Sequence, residues 1–225
     1  MDTVYILAST LGGGLTHAVE VHRQLRELEL ELLPGGALLH NGVYVVGKGT
    51  NSVVFRCKPR VGNLQLACKI RRGDSTRPSL ALEGQYLHLA NTVGVGPRLY
   101  TYSKDVLAYR FINGVDIATW WKSATPEKRR SLVQDLLTQA FLLDEIGLSH
   151  NELARLRDHV LVEEDKPIIM DFESASLGKS HNVTQVANGL SHLGLKPPLE
   201  ALRRYKAAPC KDSFTEVLLG FLSQL

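Results

Sequence analysis

The predicted strands and helices of this 225-residue chain are segregated along the sequence. Strand-like runs at 42–47, 52–57 and 64–71 precede a helix near 80–90, two more strands follow at 98–102 and 106–112, and the remainder is mostly helical. Strands joined by short polar turns pair antiparallel, and a run of strands before a run of helices indicates an α+β fold. The sequence therefore predicts an antiparallel sheet followed by a helical region.

The two ends of the chain flank this pattern. Residues 1–40 are expected to form an extension with a strand at 3–8 and a helix at 16–33. In the second half, Thr125 and Pro126 are typical of a helix start. Short strands are expected at 159–162 and 167–170, and a helical tail at 199–225.

The composition excludes several classes of protein. Apolar residues make up 44% and charged residues 22%, which is typical of a globular domain, and a net charge of +3 is too small to indicate nucleic-acid or membrane binding by itself. No apolar run approaches the roughly 20 residues of a membrane span. Cys57, Cys68 and Cys210 are odd in number and lack C-x-x-C spacing. We therefore expect no disulfide framework, no zinc ribbon and a cytoplasmic location.

A glycine-rich segment, Gly47-Lys48-Gly49-Thr50-Asn51-Ser52-Val53-Val54, joins two of the predicted strands. Missing side chains let backbone N–H groups approach phosphate oxygens, but an ordinary glycine hairpin has the same pattern. A P-loop does not fit, because that motif needs a hydroxyl directly after its lysine and then a helix. Here Gly49 follows the lysine, and a strand comes next.

A lysine lies inside the apolar strand Leu66–Ile70. Burying an unpaired ammonium is costly, so Lys69 requires an anion. Glu83, on the apolar-facing side of the next helix, can supply it and would hold Lys69 extended toward the phosphates of a nucleotide. The alternative is an edge-strand lysine that reaches solvent beside an unrelated surface glutamate.

In this order, the motifs resemble those of the protein kinases. Gly47-x-Gly49-x-x-Ser52-x-Val54 resembles the glycine-rich loop, Ala67-Cys68-Lys69 resembles the V-A-I-K strand, and Glu83 has the place of the helix C glutamate. His150-Asn151-Glu152-Leu153 resembles the H-R-D-L catalytic loop, and Ile168–Glu173 resembles the apolar strand with D-F-G. The resemblance covers residues 41 to about 176.

The resemblance implies a bilobal protein-kinase-like fold with a five-stranded antiparallel N-lobe and a reduced, mostly helical C-lobe. The expected domains are the extension at 1–40, the N-lobe at 41–112 and the C-lobe at 113–225. The segment after Phe172 is short, and in this respect the sequence is similar to the RIO kinases, the small kinase subunit of the KEOPS complex and the archaeal predicted serine/threonine kinases.

The resemblance also implies ATP and Mg²⁺ as cofactors and assigns roles to residues. Phosphates would lie against the glycine loop and Lys69, and the backbone from Arg110 to Ile112 would bond adenine. Asp171 would bind the metal; its alternative role is to cap the following turn. The implied nucleotide-binding residues are Gly47, Gly49, Ser52, Val54, Lys69, Glu83, Arg110 and Ile112.

The catalytic loop departs from the kinase pattern at two positions. Glu152 replaces the aspartate base, and His159 precedes the next strand where a metal-binding asparagine is expected, seven residues after Glu152. Either the loop has a two-residue insertion, or Ala154 has the place of the base. The neighbouring Asp158 would serve Mg²⁺ better than His159, because the hard ion prefers oxygen, or it is a solvated loop carboxylate.

The leading hypothesis is an atypical serine/threonine kinase that uses Mg-ATP, with Glu152, Lys69 and Asp171 in the catalytic roles. Its phosphate acceptor, a protein or a small molecule, is not specified by the sequence. The alternatives are a pseudokinase that binds nucleotide without transfer, and an ATPase associated with RNA or an RNA-containing complex. No membrane partner is expected.

Overall fold

The computed structural model describes residues 3–225 of the chain. The α-helices within those residues are α1 (Thr3–Leu11), α2 (Gly14–Glu27), α3 (Ala81–Thr92), α4 (Ile117–Ser123), α5 (Pro126–Glu145), α6 (Leu156–His159), α7 (Asn182–Ser191), α8 (Leu199–Ala207) and α9 (Lys211–Leu222). The strands are β1 (Leu30–Leu33), β2 (Leu38–His40), β3 (Val43–Val45), β4 (Gly47–Lys48), β5 (Ser52–Pro59), β6 (Leu66–Arg71), β7 (Leu99–Tyr102), β8 (Val106–Arg110), β9 (Val115–Asp116), β10 (Leu148–Ser149), β11 (Val160–Glu163), β12 (Lys166–Ile169) and β13 (Ser176–Leu177).

The chain is a mixed α+β protein, as predicted, and it divides into two compact units. The sheet unit comprises the residues up to Gln85 together with Pro97–Ile112. The helical unit comprises Tyr86–Gly96 and Asn113–Leu225. No helix in the described part of the chain is both long enough and apolar enough to cross a membrane.

The sheet unit is built around a six-stranded antiparallel sheet. Its order is β1-β5-β6-β8-β7, and β4 also pairs with β5. The prediction of five strands was short by one, because β1 comes from a segment that the leucine spacing assigned to a helix. The strand β6, which carries Lys69, is central and is paired on both sides.

Two boundaries of the early sequence assignment were wrong. The helix predicted at 16–33 ends as α2 at Glu27, Glu29 takes a left-handed conformation with φ 54°, and β1 then pairs with the outer side of β5. The strand predicted at 42–47 is divided into β3, which pairs with β2, and β4, which joins the main sheet. The backbone of Val45 lies close to Gly36, because a β-carbon at Gly36 would come within 2.1 Å of the Val45 carbonyl.

The strand predicted at 3–8 is also wrong, since these residues lie within the helix α1. Branched and aromatic residues in this segment favour a strand by local propensity. Leu7, Thr10 and Leu11 are buried and lie three and four positions apart, so a helix places them on one face. The α1–α2 pair packs on the sheet through an apolar cluster that contains Leu7, Leu11, Ala18, Val21, Leu25, Val53, Phe55, Ile70 and Val106. Burial of that face outweighs the local preference.

A buried polar network ties α2 to the sheet. The Gln24 side chain is 4% exposed, and its Nε2 donates to Asp105 Oδ2 at 2.7 Å. Its Oε1 accepts from Ser103 Oγ at 2.6 Å and from the Asp105 amide at 2.9 Å. The other oxygen of Asp105 accepts from Arg71 Nε at 2.5 Å, so the network reaches the end of the strand that carries Lys69.

The structure contains a disulfide, whereas the sequence analysis expected no disulfide framework. Cys57 on β5 and Cys68 on β6 form a disulfide, with their α-carbons 5.9 Å apart, and both are fully buried. The antiparallel register places Cys68 opposite Phe55 and Cys57 opposite Leu66, so the two cysteines are diagonal neighbours. Their sequence spacing carries no C-x-x-C signal, and only the pairing of the strands brings them together. Cys210 is free and exposed.

The helical unit is organised on the long helix α5. Thr125 caps its first turn by accepting from the Lys128 amide, Pro126 is the first helical residue, and the chain turns at Gly147 with φ 67°. This confirms the predicted helix start. The buried face of α5 includes Leu136, Leu137 and Ala140, and the helix packs against α7 and α9.

The strands and the tail of the helical unit are close to the prediction. The strands β11 and β12 form the expected hairpin, with Glu164 and Asp165 left-handed in its turn, and β9 pairs with β11. The predicted helical tail is divided into α8 and α9. Pro209 lies between them and cannot continue a helix, because it has no N–H and its ring restricts the preceding residue.

Candidate functional site

A buried ion pair lies at the centre of the sheet unit. Lys69 Nζ donates to Glu83 Oε1 at 2.8 Å, and the side chains are 7% and 6% exposed. Glu83 is in the first turn of α3, where a carboxylate is favourable beside the helix dipole. The predicted pair is therefore present, and the alternative of a solvent-reaching lysine is wrong. An ammonium buried at this depth is tolerable because it has a carboxylate partner.

The glycine loop lies in the same row of the sheet as Lys69. Gly47 of β4 is opposite Val54 of β5, Val54 is opposite Lys69 of β6, and Lys69 is opposite Leu107 of β8. Residues directly opposite one another on neighbouring strands project from the same face of a sheet. The loop closes through the Gly49 amide, which donates to the Ser52 carbonyl at 2.8 Å.

Local packing does not require the two glycines of the loop. A β-carbon at Gly47 would have no atom within 4 Å, and one at Gly49 would come no nearer than 3.8 Å to Ser52. Neither glycine has the positive φ that excludes other residues. A side chain at either position would fill the open space beside the loop. A ligand that approaches the loop backbone would need that same space.

An open cavity of about 590 Å³ lies at the glycine loop. Lys48, Gly49 and Thr50 line it from the loop, and Arg72 and Asp74 line it from the segment after β6. Arg72 donates to both oxygens of Asp74, at 2.8 and 2.6 Å, and this bonding lowers the pKa of the Asp74 carboxyl. The cavity thus combines two cationic side chains with one carboxylate.

The predicted adenine-binding backbone begins at Arg110, the last residue of β8. The Arg110 amide donates to the Arg98 carbonyl at 2.8 Å and the Phe111 amide to the Gln65 carbonyl at 3.1 Å, so both are engaged. The Ile112 amide donates to no backbone carbonyl within residues 3–225. Of these amides, that of Ile112 is the one that can donate to a ligand, and the structure does not support this role for the Arg110 amide.

In the helical unit, His150 links the two loops that carry the predicted acidic residues. It is fully buried, its Nε2 bonds the Met170 carbonyl at 2.8 Å, and its amide donates to Asn182 Oδ1 at 2.8 Å. Burial lowers the pKa of His150 to about 4, and this effect exceeds the opposing influence of the Asp171 and Glu152 carboxylates. His150 is therefore neutral at pH 7 and serves as a structural strut.

Asn151 makes the second link between these loops. Its Nδ2 donates to the Ser174 carbonyl at 2.8 Å and to Ser176 Oγ at 2.9 Å, and its Oδ1 accepts from Ser149 Oγ at 2.7 Å. Asn151 has a left-handed backbone with φ 72°, which asparagine tolerates better than most residues. The segment before Glu152 is thus fixed on the segment after Asp171.

Asp171 has a strained backbone, with φ 66° and ψ 77°. Left-handed residues other than glycine are uncommon and concentrate at functional sites. Its side chain makes no capping hydrogen bond to the 3₁₀ helix Phe172–Ser174, so the alternative of a simple turn cap is not supported. Asp171 and Glu173 can offer carboxylate oxygens within 4.8 Å of each other. This spacing fits a hard divalent cation, which prefers oxygen ligands.

Glu152 is half-buried between a cation and a histidine. Its Oε1 accepts from Arg155 Nη2, and its Oε2 lies 3.7 Å from His159 Nε2. The residues between Glu152 and His159 lie in a turn and in the short helix α6. The Arg155 amide closes the turn by donating to the Glu152 carbonyl at 3.0 Å. The carboxylates of Glu152 and Asp171 both favour the charged form of His150 and so raise its pKa. Ala154 has no group that could act as a base.

Asp158 is exposed, and its side chain makes no hydrogen bond or ion pair within residues 3–225. This environment fits the solvated loop carboxylate better than a built metal ligand. The sequence analysis did not consider Glu173 as a ligand, although its carboxylate can offer an oxygen within 4.8 Å of one from Asp171. Its two-residue spacing from Asp171 was the available signal.

Asn182 was also missed as a positioning residue. Its side chain is fully buried, and besides accepting from the His150 amide it donates to the Leu148 carbonyl at 2.7 Å and to Asp144 Oδ1 at 2.9 Å. It fixes both ends of the segment that leads to Glu152. A polar residue at a fully buried position of an apolar helix face was the only signal in the sequence.

Comparison of the chain with protein-family models and with curated proteins returned no match.

Proposed function

We propose that this protein is an ATP-dependent, Mg²⁺-dependent phosphotransferase of the small atypical protein-kinase type, with a kinase-like fold. The groups proposed to bind phosphate lie within the sheet unit, and the groups proposed to bind the metal and to act as the base lie within the helical unit.

The observation that carries the proposal is the buried Lys69–Glu83 pair in one row with Gly47 and Val54. A buried ion pair is a poor device for stability, since well-packed apolar residues serve as well or better. A lysine held extended beside a loop whose glycines are not required by local packing is suited instead to binding phosphate. Phosphate oxygens attract both the ammonium and the loop amides. The basic side chains Lys48 and Arg72 at the same loop add to that attraction.

Asp171 and Glu173 would hold the Mg²⁺ ion, which when bound neutralises charge on the phosphate oxygens. Glu152 would accept the proton of the acceptor hydroxyl while the oxygen of that hydroxyl bonds to the γ-phosphorus. The bond from this phosphorus to the bridging oxygen breaks, and ADP leaves. Positioning and electrostatic stabilisation supply most of the acceleration in such a reaction.

The test is transfer of label from γ-labelled ATP with Mg²⁺, comparing three variants. Lys69→Arg keeps a buried cation but changes its shape and reach, and Lys69→Met removes the cation. Lys58→Met is the matched control, because Lys58 is on the adjacent strand β5 with a partner, Glu31, 3.6 Å away. We expect both Lys69 variants to lose transfer by about 100-fold or more, and Lys58→Met to retain the wild-type rate. Equal transfer by Lys69→Met and Lys58→Met would contradict the proposal.

A second candidate function, nucleotide binding without transfer, is favoured by one observation. The Glu152 carboxylate is already engaged by Arg155, and His159 stands where an oxygen or amide ligand is expected. Calorimetry separates the two: ATP binding with no labelled product and no hydrolysis over long incubation would identify a pseudokinase. Steady turnover that Lys69→Met abolishes would exclude it.

A further inference from the structure

His159 is a buried side chain with unsatisfied hydrogen-bonding atoms. The residue is 4% exposed, and neither Nδ1 nor Nε2 has a hydrogen-bond partner within residues 3–225. Its backbone carbonyl accepts from the Met170 amide at 2.8 Å. Buried polar atoms in native proteins nearly always have partners, and the exceptions call for an explanation.

One charged side chain lies within reach of the ring. Glu152 Oε2 is 3.7 Å from His159 Nε2, about 0.8 Å beyond an ordinary N–H···O hydrogen bond. On its other side the ring meets the edge of His150, with centroids 5.3 Å apart, and His150 uses its own Nε2 on the Met170 carbonyl. The direction open to His159 Nε2 is therefore toward Glu152.

The two oxygens of Glu152 have partners of opposite character. Arg155, on the Oε1 side, is 61% exposed and pairs with Glu152, three residues earlier in the same turn. Such exposed pairs are weak and are easily exchanged for water or for an incoming group. His159, on the Oε2 side, is fixed by its burial and by its backbone hydrogen bond.

We propose that His159 is a positioning residue for Glu152. With a proton on Nε2, the ring donates to Glu152 Oε2 once the carboxylate moves the remaining distance, and it holds that oxygen while Oε1 leaves Arg155 for the acceptor hydroxyl. The inference rests on the proposed function, in which Glu152 is the base. It also accounts for a histidine at this position, where its ring would be a poor ligand for Mg²⁺.

The test compares His159→Gln, His159→Leu and the control Arg157→Gln, whose side chain on α6 is 77% exposed. Each purified protein is incubated with Mg-ATP, and the label is measured on a generic acceptor such as myelin basic protein and on the protein itself. Glutamine keeps an N–H donor at a reach similar to that of Nε2, whereas leucine fills the site without a donor. We expect His159→Leu to lower kcat by about 10- to 100-fold, the usual effect of removing a partner that orients a site residue, with little change in the KM for ATP. His159→Gln should recover most of that loss, and Arg157→Gln should retain the wild-type kcat.

A long-range ¹H–¹⁵N spectrum of the histidine rings separates this inference from the proposed function. We expect a protonated Nε2 for His159 whose resonance shifts in Glu152→Gln, whether or not the protein transfers phosphate. Absence of transfer by the wild-type protein would refute the proposed function, and the spectrum would then decide the contact alone. A His159 resonance that Glu152→Gln leaves unchanged, or a folded His159→Leu with the wild-type kcat, would overturn the inference.

Discussion

The buried His150 makes the stability of the helical unit depend on pH. Burial lowers its folded-state pKa from the ordinary 6.5 to about 4, so the folded protein resists protonation that the unfolded chain accepts. The contribution to the free energy of unfolding is complete above pH about 6.5 and is lost as the pH falls toward 4. At about 1.4 kcal/mol per pH unit, the difference between the two pKa values corresponds to about 3.5 kcal/mol in full, of which about 3 kcal/mol is lost by pH 4.

Replacing His150 by glutamine isolates this contribution. The Gln side chain can still donate to the Met170 carbonyl but does not titrate, so His150→Gln should lose about 3 kcal/mol less than the wild type between pH 7 and pH 4. Urea unfolding at a series of pH values measures the free energy of unfolding of both proteins. Subtracting one from the other cancels the effect of the carboxylates, which both proteins share. His192→Gln, at an exposed histidine of the same unit, is the control and should follow the wild type. Parallel curves for the wild type and His150→Gln would refute the reasoning.

Two further predictions concern the sheet unit. Gln24→Met removes the amide that donates to Asp105, a residue that is 1% exposed. The unsatisfied buried carboxylate should lower the free energy of unfolding by about 1–3 kcal/mol, measured by urea denaturation. A loss below the error of the measurement would show that the network is not stabilising. For the disulfide between Cys57 and Cys68, protein purified without reductant and labelled in denaturant should show one reactive thiol, from Cys210, and three after reduction. Three labelled thiols without reductant would contradict the pairing.

Local sequence predicted those features that neighbouring elements determine. Lys69 and Glu83 are 14 positions apart, on a strand and the helix that follows it, so the need of a buried lysine for an anion was enough to pair them. The capped start of α5 at Thr125 and Pro126 was equally local. In both cases the physical requirement and the residue that meets it lie in one supersecondary unit.

Features that depend on distant contacts were not predictable. Residues 3–8 have strand-forming side chains, and only the packing of Leu7 and Leu11 on the sheet makes them helical. The disulfide depends on the register of β5 and β6 rather than on cysteine spacing. The links from His150 and Asn151 to the loop after β12 cross 20 or more positions, so no local pattern announces them.

The most direct test of the account is phosphate transfer by Asp171→Asn. Asparagine tolerates the left-handed backbone of this position but removes the carboxylate charge. Asp165→Asn is the matched control, since Asp165 is also left-handed, with φ 64°, and lies in the β11–β12 turn of the same unit. We predict that the wild type and Asp165→Asn transfer label from γ-labelled ATP with Mg²⁺, and that Asp171→Asn is slower by about 100-fold or more. Equal labelling by the wild type and Asp171→Asn would show that the labelling does not depend on this carboxylate, and it would contradict the claim that phosphate transfer takes place at this site.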